Sequence, residues 1–111
     1  MKNITAALNA YLGCALWSDG SFDDKSISDI GESSKATALA DITKFVEMAG
    51  DLLDGLISEE VGHDFWLTRN HHGSGFWDRY DGELGKKLTE IAHTFKELNL
   101  WKSECDVIYF E

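Results

Sequence analysis

Side chains capable of metal chemistry are concentrated in one short stretch. Residues 63–80 read HDFWLTRNHHGSGFWDRY and contain three of the chain's four histidines. With nearby carboxylates they offer nitrogen and oxygen ligands that zinc, manganese or iron accept, namely His63, His71, His72, Asp64, Asp78 and Asp81. However, no H-x-x-x-H, H-x-H or C-x-x-C spacing directs two ligands to one point. We therefore expect no stoichiometric metal and no other cofactor.

The same stretch contains groups that could perform general acid–base chemistry. His72 could exchange a proton beside Asp78, with Arg79 holding an anion. The sequence shows no nucleophile elbow, phosphate loop or paired-carboxylate motif to accompany them. An enzyme therefore stays an alternative, and no residue is assigned a catalytic role.

The aromatic and arginine side chains of this stretch suit a binding surface equally well. Tryptophan and arginine are enriched at interface hot spots because each joins a large contact area to a directed polar group. The binding residues predicted here are Trp66, Arg69, His72, Phe76, Trp77 and Arg79. In the structural alternative, the aromatic residues are core residues and the arginines pair with Asp64, Asp78 or Asp81. Both interpretations stay open from sequence alone.

Composition narrows the class of protein. A chain of 111 residues that is 43% hydrophobic and lacks proline is expected to fold as one domain, residues 1–111. A net charge of −10 repels phosphate, so direct nucleic-acid binding is disfavoured. The first fifteen residues lack the pattern of a signal peptide or membrane span, which predicts a cytoplasmic protein without membrane contact. Cys14 and Cys105, far apart in sequence, are expected to be reduced thiols.

The acidic residues are unevenly distributed. Residues 1–62 contain eleven acids and four lysines. The segment 47–60 begins with Glu47 and carries no base. Four of its acids complete the set of predicted binding residues, namely Asp51, Asp54, Glu59 and Glu60. This run is either a solvated surface or a negative surface that meets a basic partner.

Apolar residues spaced three and four apart predict the helices. They indicate helices near residues 3–16, 35–53 and 81–97. Ser33 or Ser34 is the expected N-cap of the second helix, and Gly55 its C-cap. Between the first two helices, residues 17–34 predict a long acidic loop with at most one helical turn.

Alternating patterns predict the strands. HDFWLTR at 63–69 alternates like a half-buried strand, NHHGSG follows as a loop, and about 75–78 form the return. Residues 98–101 and 107–110 predict a hairpin. The expected fold is a single α+β domain in which about three helices pack on one face of a small antiparallel sheet.

Two segments carry a family resemblance. VGHDFWLTRNHHGSGFWDR at 61–79 and GELGKKLTEIA at 82–92 resemble small uncharacterised proteins of tailed bacteriophages and prophages, whose signature is close to GHDFWLTRN-x-HG-x-GFWDR. AALNAYLGCALW and FVEMAGDLLDGL resemble the same family, so the similarity covers most of the chain. It implies a phage or prophage origin but no activity. Two places depart from the pattern: His71 replaces a usual glycine or arginine, and WKSECD replaces a glycine turn.

Size, acidity and this resemblance together favour a binding protein. We expect a small acidic phage-encoded protein that modulates or inhibits a host protein in the host cytoplasm, with a nucleic-acid-handling defence or restriction complex as the class of partner. An acid-rich body can occupy a basic groove that otherwise holds nucleic acid. The alternatives are a small enzyme or metal-binding protein that uses His72, Asp78 and Arg79, and a structural or accessory phage protein.

Overall fold

The computed structural model describes residues 1–22 and 24–111, and most of this chain is helical. Its five α-helices are α1 Ile4–Asp19, α2 Glu32–Ala49, α3 Ser58–Arg69, α4 Phe76–Arg79 and α5 Glu83–Ala92. Short 3₁₀ helices occupy Ile27–Asp29 and Gly50–Leu53. Strands β1 Leu100–Lys102 and β2 Ile108–Phe110 pair antiparallel, with Trp101 opposite Tyr109. Helices with a small antiparallel sheet agree broadly with the α+β prediction.

The helix predicted from the apolar spacing near residues 3–16 is confirmed as α1. The Asn3 side chain accepts the Ala6 amide at its start, and Gly20, at a φ of 78°, ends it. The inward-facing residues are Ala7, Tyr11, Leu12, Cys14, Ala15 and Leu16. The helix runs three residues further than predicted, which places Trp17 on the helix itself.

The second helix is confirmed, but both predicted caps are wrong. Gly31 precedes the first turn, and the backbone turns at Gly50, at a φ of 51°, well before Gly55. Ser34 lies inside the helix, where its buried hydroxyl accepts the Phe110 amide at 3.0 Å. The serine therefore links α2 to the hairpin.

Residues 63–69 form the second half of α3, so the predicted strand is wrong. α3 packs along α1, and at Gly62 the two helices approach so closely that a Cβ would collide with the Ala7 carbonyl oxygen. Most of the helix is buried, including Val61, Asp64, Phe65, Trp66, Leu67, Thr68 and Arg69. A helix surrounded in this way lacks the single apolar stripe that identifies a surface helix. Tertiary packing therefore overrides the strand propensity of Phe65, Trp66 and Thr68.

The segment 75–78 is likewise helical and not a return strand. Gly75, at a φ of 155°, redirects the chain into α4, and its amide donates to the Asp78 side chain at 2.6 Å. The third predicted helix is confirmed as α5 but ends at Ala92 instead of residue 97. The predicted hairpin is confirmed with shorter arms, and the described part of the chain has two strands in its sheet instead of four.

The core lies between helices and not between helices and a sheet face, which corrects the predicted arrangement. Phe45 of α2 stacks on Phe65 of α3 and on Phe76 of α4, with ring centroids 4.4 and 5.4 Å apart. The hairpin attaches at the edge, where β2 forms a parallel bridge to Ile30. Among the described helices, none combines the length and the apolar composition that crossing a membrane requires.

Candidate functional site

Arg69, a predicted binding residue, is buried in the core. Its guanidinium donates to the Asp41 carboxylate at 2.7 Å, to the Tyr11 hydroxyl at 3.0 Å and twice to the Lys96 carbonyl. The group also lies between the rings of Phe65 and Phe95. Burial raises the pKa of Tyr11 to about 12, so the hydroxyl remains neutral beside the guanidinium. Arg69 holds the helices together and is not available to a partner.

Trp66 and Phe76 are buried as well. The Trp66 indole donates to the Ser18 hydroxyl at 3.0 Å, which satisfies its polar atom inside the protein. Phe76 is stacked on Phe45 and fully covered. Hot spots and cores use the same aromatic residue types, so composition alone did not distinguish the two roles.

Arg79 is the centre of a partly exposed ion cluster. It donates through Nε and a terminal nitrogen to Asp64, and its other terminal nitrogen lies 3.3 Å from Glu60. Burial raises the pKa of Asp64 against the opposing effect of Arg79, whose own pKa is raised by the hydrogen bond to Asp64. A hollow of about 210 Å³ beside this cluster is lined by His63 and Asp78 among others. Because two carboxylates already neutralise Arg79, it is poorly placed to hold an anion.

The three side chains considered for acid–base chemistry do not line a common hollow. Asp78 and Arg79 face the 210 Å³ hollow, whereas His72 lines two others. His71, held at a φ of 57°, stacks on His93 with centroids 4.4 Å apart and lies 3.6 Å from Glu97. In residues 1–22 and 24–111, no three histidine, cysteine or acidic side chains come together in a way that could hold a metal ion.

The acidic run spans the last residues of α2, the connection to α3 and the first residues of α3. We call residues 47–60 the acidic turn. Its carboxylates at Asp51, Asp54 and Glu59 are exposed, and none has an ion-pair partner within the described chain. Glu60 differs, because it is half-buried and pairs with Arg79. Two large apolar side chains of the turn, Met48 at 45% and Ile57 at 56% exposure, also face solvent.

Trp17 is a surface residue that sequence reasoning missed. Its side chain is 66% exposed and tilts against His63 with ring centroids 5.9 Å apart. Hollows of about 540 and 840 Å³ both include it in their lining. The available signal was its place just beyond the buried stripe of the first helix, three residues before Gly20, which ends the helix. Trp77, a predicted binding residue, is exposed to a similar extent, 53%.

Comparison of the chain with protein-family models, with characterised proteins and with solved structures gives no match.

Proposed function

We propose that this protein is a non-enzymatic binding protein whose acidic turn captures a basic surface of another protein. One observation carries the proposal: Asp51, Asp54 and Glu59 are exposed and have no ion-pair partner within the described chain, beside the exposed side chains of Met48 and Ile57. Carboxylates without partners keep their full attraction for a base, while exposed apolar side chains supply contact area.

The remainder of the charge distribution supports the same proposal. The net charge of −10 gives the whole protein a negative field that steers a basic partner toward it before contact. Arg79 and Arg69 do not oppose this field locally, because each is paired with carboxylate. Two cationic groups contact the turn: the Met1 ammonium donates to the Leu53 carbonyl at 2.5 Å, and Arg79 lies 3.3 Å from Glu60. Neither forms an ion pair with Asp51, Asp54 or Glu59.

The partner class follows from the chemistry of such a surface and from the family resemblance. Proteins that handle nucleic acid present basic grooves lined with lysine and arginine. We propose a bacterial host protein of this kind as the partner, with the acidic turn occupying the groove in place of phosphates. This extends the predicted role of a phage-encoded modulator or inhibitor, and it assigns no catalytic residue.

The test compares two sets of charge-neutral variants that retain side-chain shape. The first is Asp51→Asn with Asp54→Asn and Glu59→Gln. The matched control is Glu90→Gln with Glu104→Gln and Glu111→Gln, three exposed acids that likewise have no described ion pair. Each protein is tagged and incubated with bacterial lysate at about 0.15 M salt, and bound proteins are quantified by mass spectrometry.

We expect a defined set of nucleic-acid-handling proteins on the wild type and the control, reduced at least about tenfold on the acidic-turn variant. Both variants keep the far-UV circular dichroism of the wild type, because exposed charges contribute little to stability. Equal loss with both variants would show only a general charge effect. Retention by the acidic-turn variant would refute the proposal.

A further inference from the structure

The sheet formed by β1 and β2 is closed at one of its two edges. On the side of β2 that faces away from β1, the Ile108 carbonyl accepts the Gly31 amide at 2.8 Å. On the same side, the Phe110 amide donates to the Ser34 hydroxyl at 3.0 Å. The start of α2 therefore uses the outward backbone groups of β2, so no further strand can pair with β2 there.

Two hydrogen bonds at the ends of the hairpin show which way the backbone of β1 faces. The Glu111 amide donates to the Asn99 carbonyl at 2.8 Å, and the Ser103 amide donates to the Val107 carbonyl at 2.9 Å. In an antiparallel pair, every second residue exchanges backbone hydrogen bonds with the residue opposite it. Trp101 lies midway between Asn99 and Ser103 and therefore belongs to the set that bonds to β2.

Leu100 and Lys102 belong to the other set, so their amides and carbonyls point away from β2. Within residues 1–22 and 24–111, no hydrogen bond engages the backbone of either residue on that outward side. An edge of this kind presents unpaired donors and acceptors to an extended chain that aligns with it. The outer edge of β1 can therefore accept one further strand, and we call it the open edge.

Trp101 lies at the centre of the open edge. It is 42% exposed, and its indole contacts the Tyr109 ring with centroids 5.0 Å apart. A second copy of β1, aligned antiparallel about a two-fold axis at Trp101, places Leu100 of each copy opposite Lys102 of the other. Each such pair exchanges two backbone hydrogen bonds, and Trp101 meets its own copy as a non-bonded pair, in which side chains are closest. Aromatic pairs at opposite positions stabilise a sheet.

A hollow beside Leu100 carries charge complementary to Lys102. It has a volume of about 180 Å³, and the carboxylates of Asp19 and Glu97 contribute to its lining, whereas none of its described lining residues is a lysine or arginine. Opposite residues of two paired strands extend their side chains on the same face. Lys102 of the second copy, opposite Leu100, therefore extends toward this hollow. In its own chain, the Lys102 side chain is 48% exposed and lies 3.5 Å from Asp106, so it is accessible.

We infer that the open edge binds β1 of a second copy of this chain, which joins the two hairpins into one continuous sheet about a two-fold axis at Trp101. An identical strand supplies the outward backbone groups, the opposing indole and the lysine for the hollow. Contact through strands of three residues is small, so association is weak and depends on protein concentration. The open edge includes no residue of the acidic turn, so the inference goes beyond the proposed function and can fail without it.

The first experiment uses the wild-type chain alone. Sedimentation equilibrium measures its mass, and NMR measures amide hydrogen exchange by residue, at protein concentrations from about 0.02 to about 1 mM. We expect a dimer at the higher concentration, in which the amides of Leu100 and Lys102 exchange at least about twofold more slowly. The Trp101 amide should change less, because it already bonds to β2.

Two substitutions at Lys102 separate the backbone from the side chain. Lys102→Pro removes an outward amide and leaves the hydrogen bonds between β1 and β2 in place, so it should weaken dimerisation at least about tenfold. Lys102→Ala keeps that amide and loses only the ammonium group, so it should weaken dimerisation by roughly threefold. Circular dichroism of both variants checks that the fold is retained.

Neutralising the carboxylates of the hollow tests the direction of the charge effect. Asp19→Asn combined with Glu97→Gln should weaken dimerisation by roughly threefold, because the lysine of the second copy loses its partners. General repulsion between two chains of net charge −10 predicts the opposite, since fewer acids would strengthen association. The acidic-turn variant described above is the matched control and should dimerise within about twofold of the wild type.

Tryptophan variants test the pair at the axis. Trp101→Ala should weaken dimerisation at least about tenfold, whereas Trp77→Ala should change it less than about twofold. Trp77 is 53% exposed but lies in α4, away from the hairpin.

Four results would overturn the inference. The chain could remain a monomer at about 1 mM, exchange at Leu100 and Lys102 could be independent of concentration, or Lys102→Pro could dimerise like the wild type. Protection of the two amides only after addition of bacterial lysate would assign the open edge to a strand of another protein instead. The wild-type exchange measurement needs no substitution, so it decides the matter even where a variant fails to fold. Lysate partners retained by Lys102→Pro while its dimer is lost would separate this inference from the proposed function.

Discussion

Two ion pairs, each with one buried member, differ in how their charges are compensated. Arg69 is surrounded by acceptors and aromatic rings, and its partner Asp41 remains partly exposed. In the second pair the carboxylate of Asp64 is the buried member, while Arg79 is partly exposed. Removing the Asp64 carboxylate from water costs more free energy than its attraction to the partly solvated Arg79 recovers. This is the physical cause of the raised pKa of Asp64.

The raised pKa of Asp64 predicts a definite pH dependence of stability. Its folded-state pKa lies above the ordinary value of 3.8, so within that interval the folded protein retains a proton that the unfolded chain has lost. The contribution of Asp64 to stability is therefore fully present below pH 3.8 and is lost as the pH rises through its folded pKa. Asp64→Asn has no such titration, although its amide oxygen can still accept from Arg79.

We therefore expect wild type to gain stability relative to Asp64→Asn as the pH is lowered from about 7 to about 4. The free energies of unfolding in urea, measured for both proteins across this range, provide the check. If wild type instead loses stability relative to the variant on acidification, the ion pair with Arg79 outweighs the cost of burial.

At the scale of the helices and strands, the sequence correctly predicted the helices that bury one face. It did not predict α3, which is buried on almost every face. α1 and α2 carry apolar stripes at Tyr11, Ala15, Ile42 and Phe45, which are visible in the sequence. α3 is enclosed by its neighbours and buries a carboxylate and an arginine, so polarity no longer marks its outside. Glu59 and Glu60, which directly follow Ser58, could have indicated the start of α3, because acidic residues favour the first turn of a helix.

Close packing of α1 on α3 predicts opposite effects for one substitution at two glycines. Gly62→Ala places a methyl group against the Ala7 carbonyl, which forces the two helices apart and should cost roughly 1–3 kcal/mol of unfolding free energy. Gly13→Ala in α1 meets no atom within 4 Å and should stabilise by about 0.5–1 kcal/mol through helix propensity.

Urea denaturation of the two variants measures both changes. The pair is its own control, because the chemical substitution is the same and only the surroundings differ. Equal destabilisation by both would contradict the described approach of α1 to α3, and so would a stabilised Gly62→Ala.

At the scale of the whole molecule, the sequence is enough to locate the acidic turn but not to say which aromatic residues reach the surface. The acidic turn needed only the absence of bases between Glu47 and Glu60 to be recognised. Burial of Trp66 and exposure of Trp17 depend on how α1 and α3 face one another, which no local pattern specifies. Long-range contacts therefore determine which aromatic side chains are exposed, whereas the amino-acid composition determines the charge of the surface.

The net charge of −10 predicts that salt acts in opposite directions on folding and on binding. Screening like charges relieves self-repulsion, so the melting temperature should rise when sodium chloride increases from about 0.02 to about 0.5 M. Capture of a basic partner should become slower over the same range, because the steering field is screened.

Scanning calorimetry measures the first effect, and surface plasmon resonance with a partner recovered from lysate measures the second. Potassium fluoride in place of sodium chloride distinguishes general screening from specific chloride binding. A melting temperature that falls with both salts would mean that attractive ion pairs outweigh repulsion in the folded state.

The distribution of Arg69's partners along the chain has a consequence for biosynthesis. Tyr11 lies 58 positions before Arg69, and the Lys96 carbonyl 27 positions after it. The Phe110 amide then closes onto Ser34 across 76 positions. A nascent chain emerging from the ribosome could not complete the set of acceptors around Arg69 until residue 96 had been translated. Completion of the core would therefore be a late step, which requires closure of long loops.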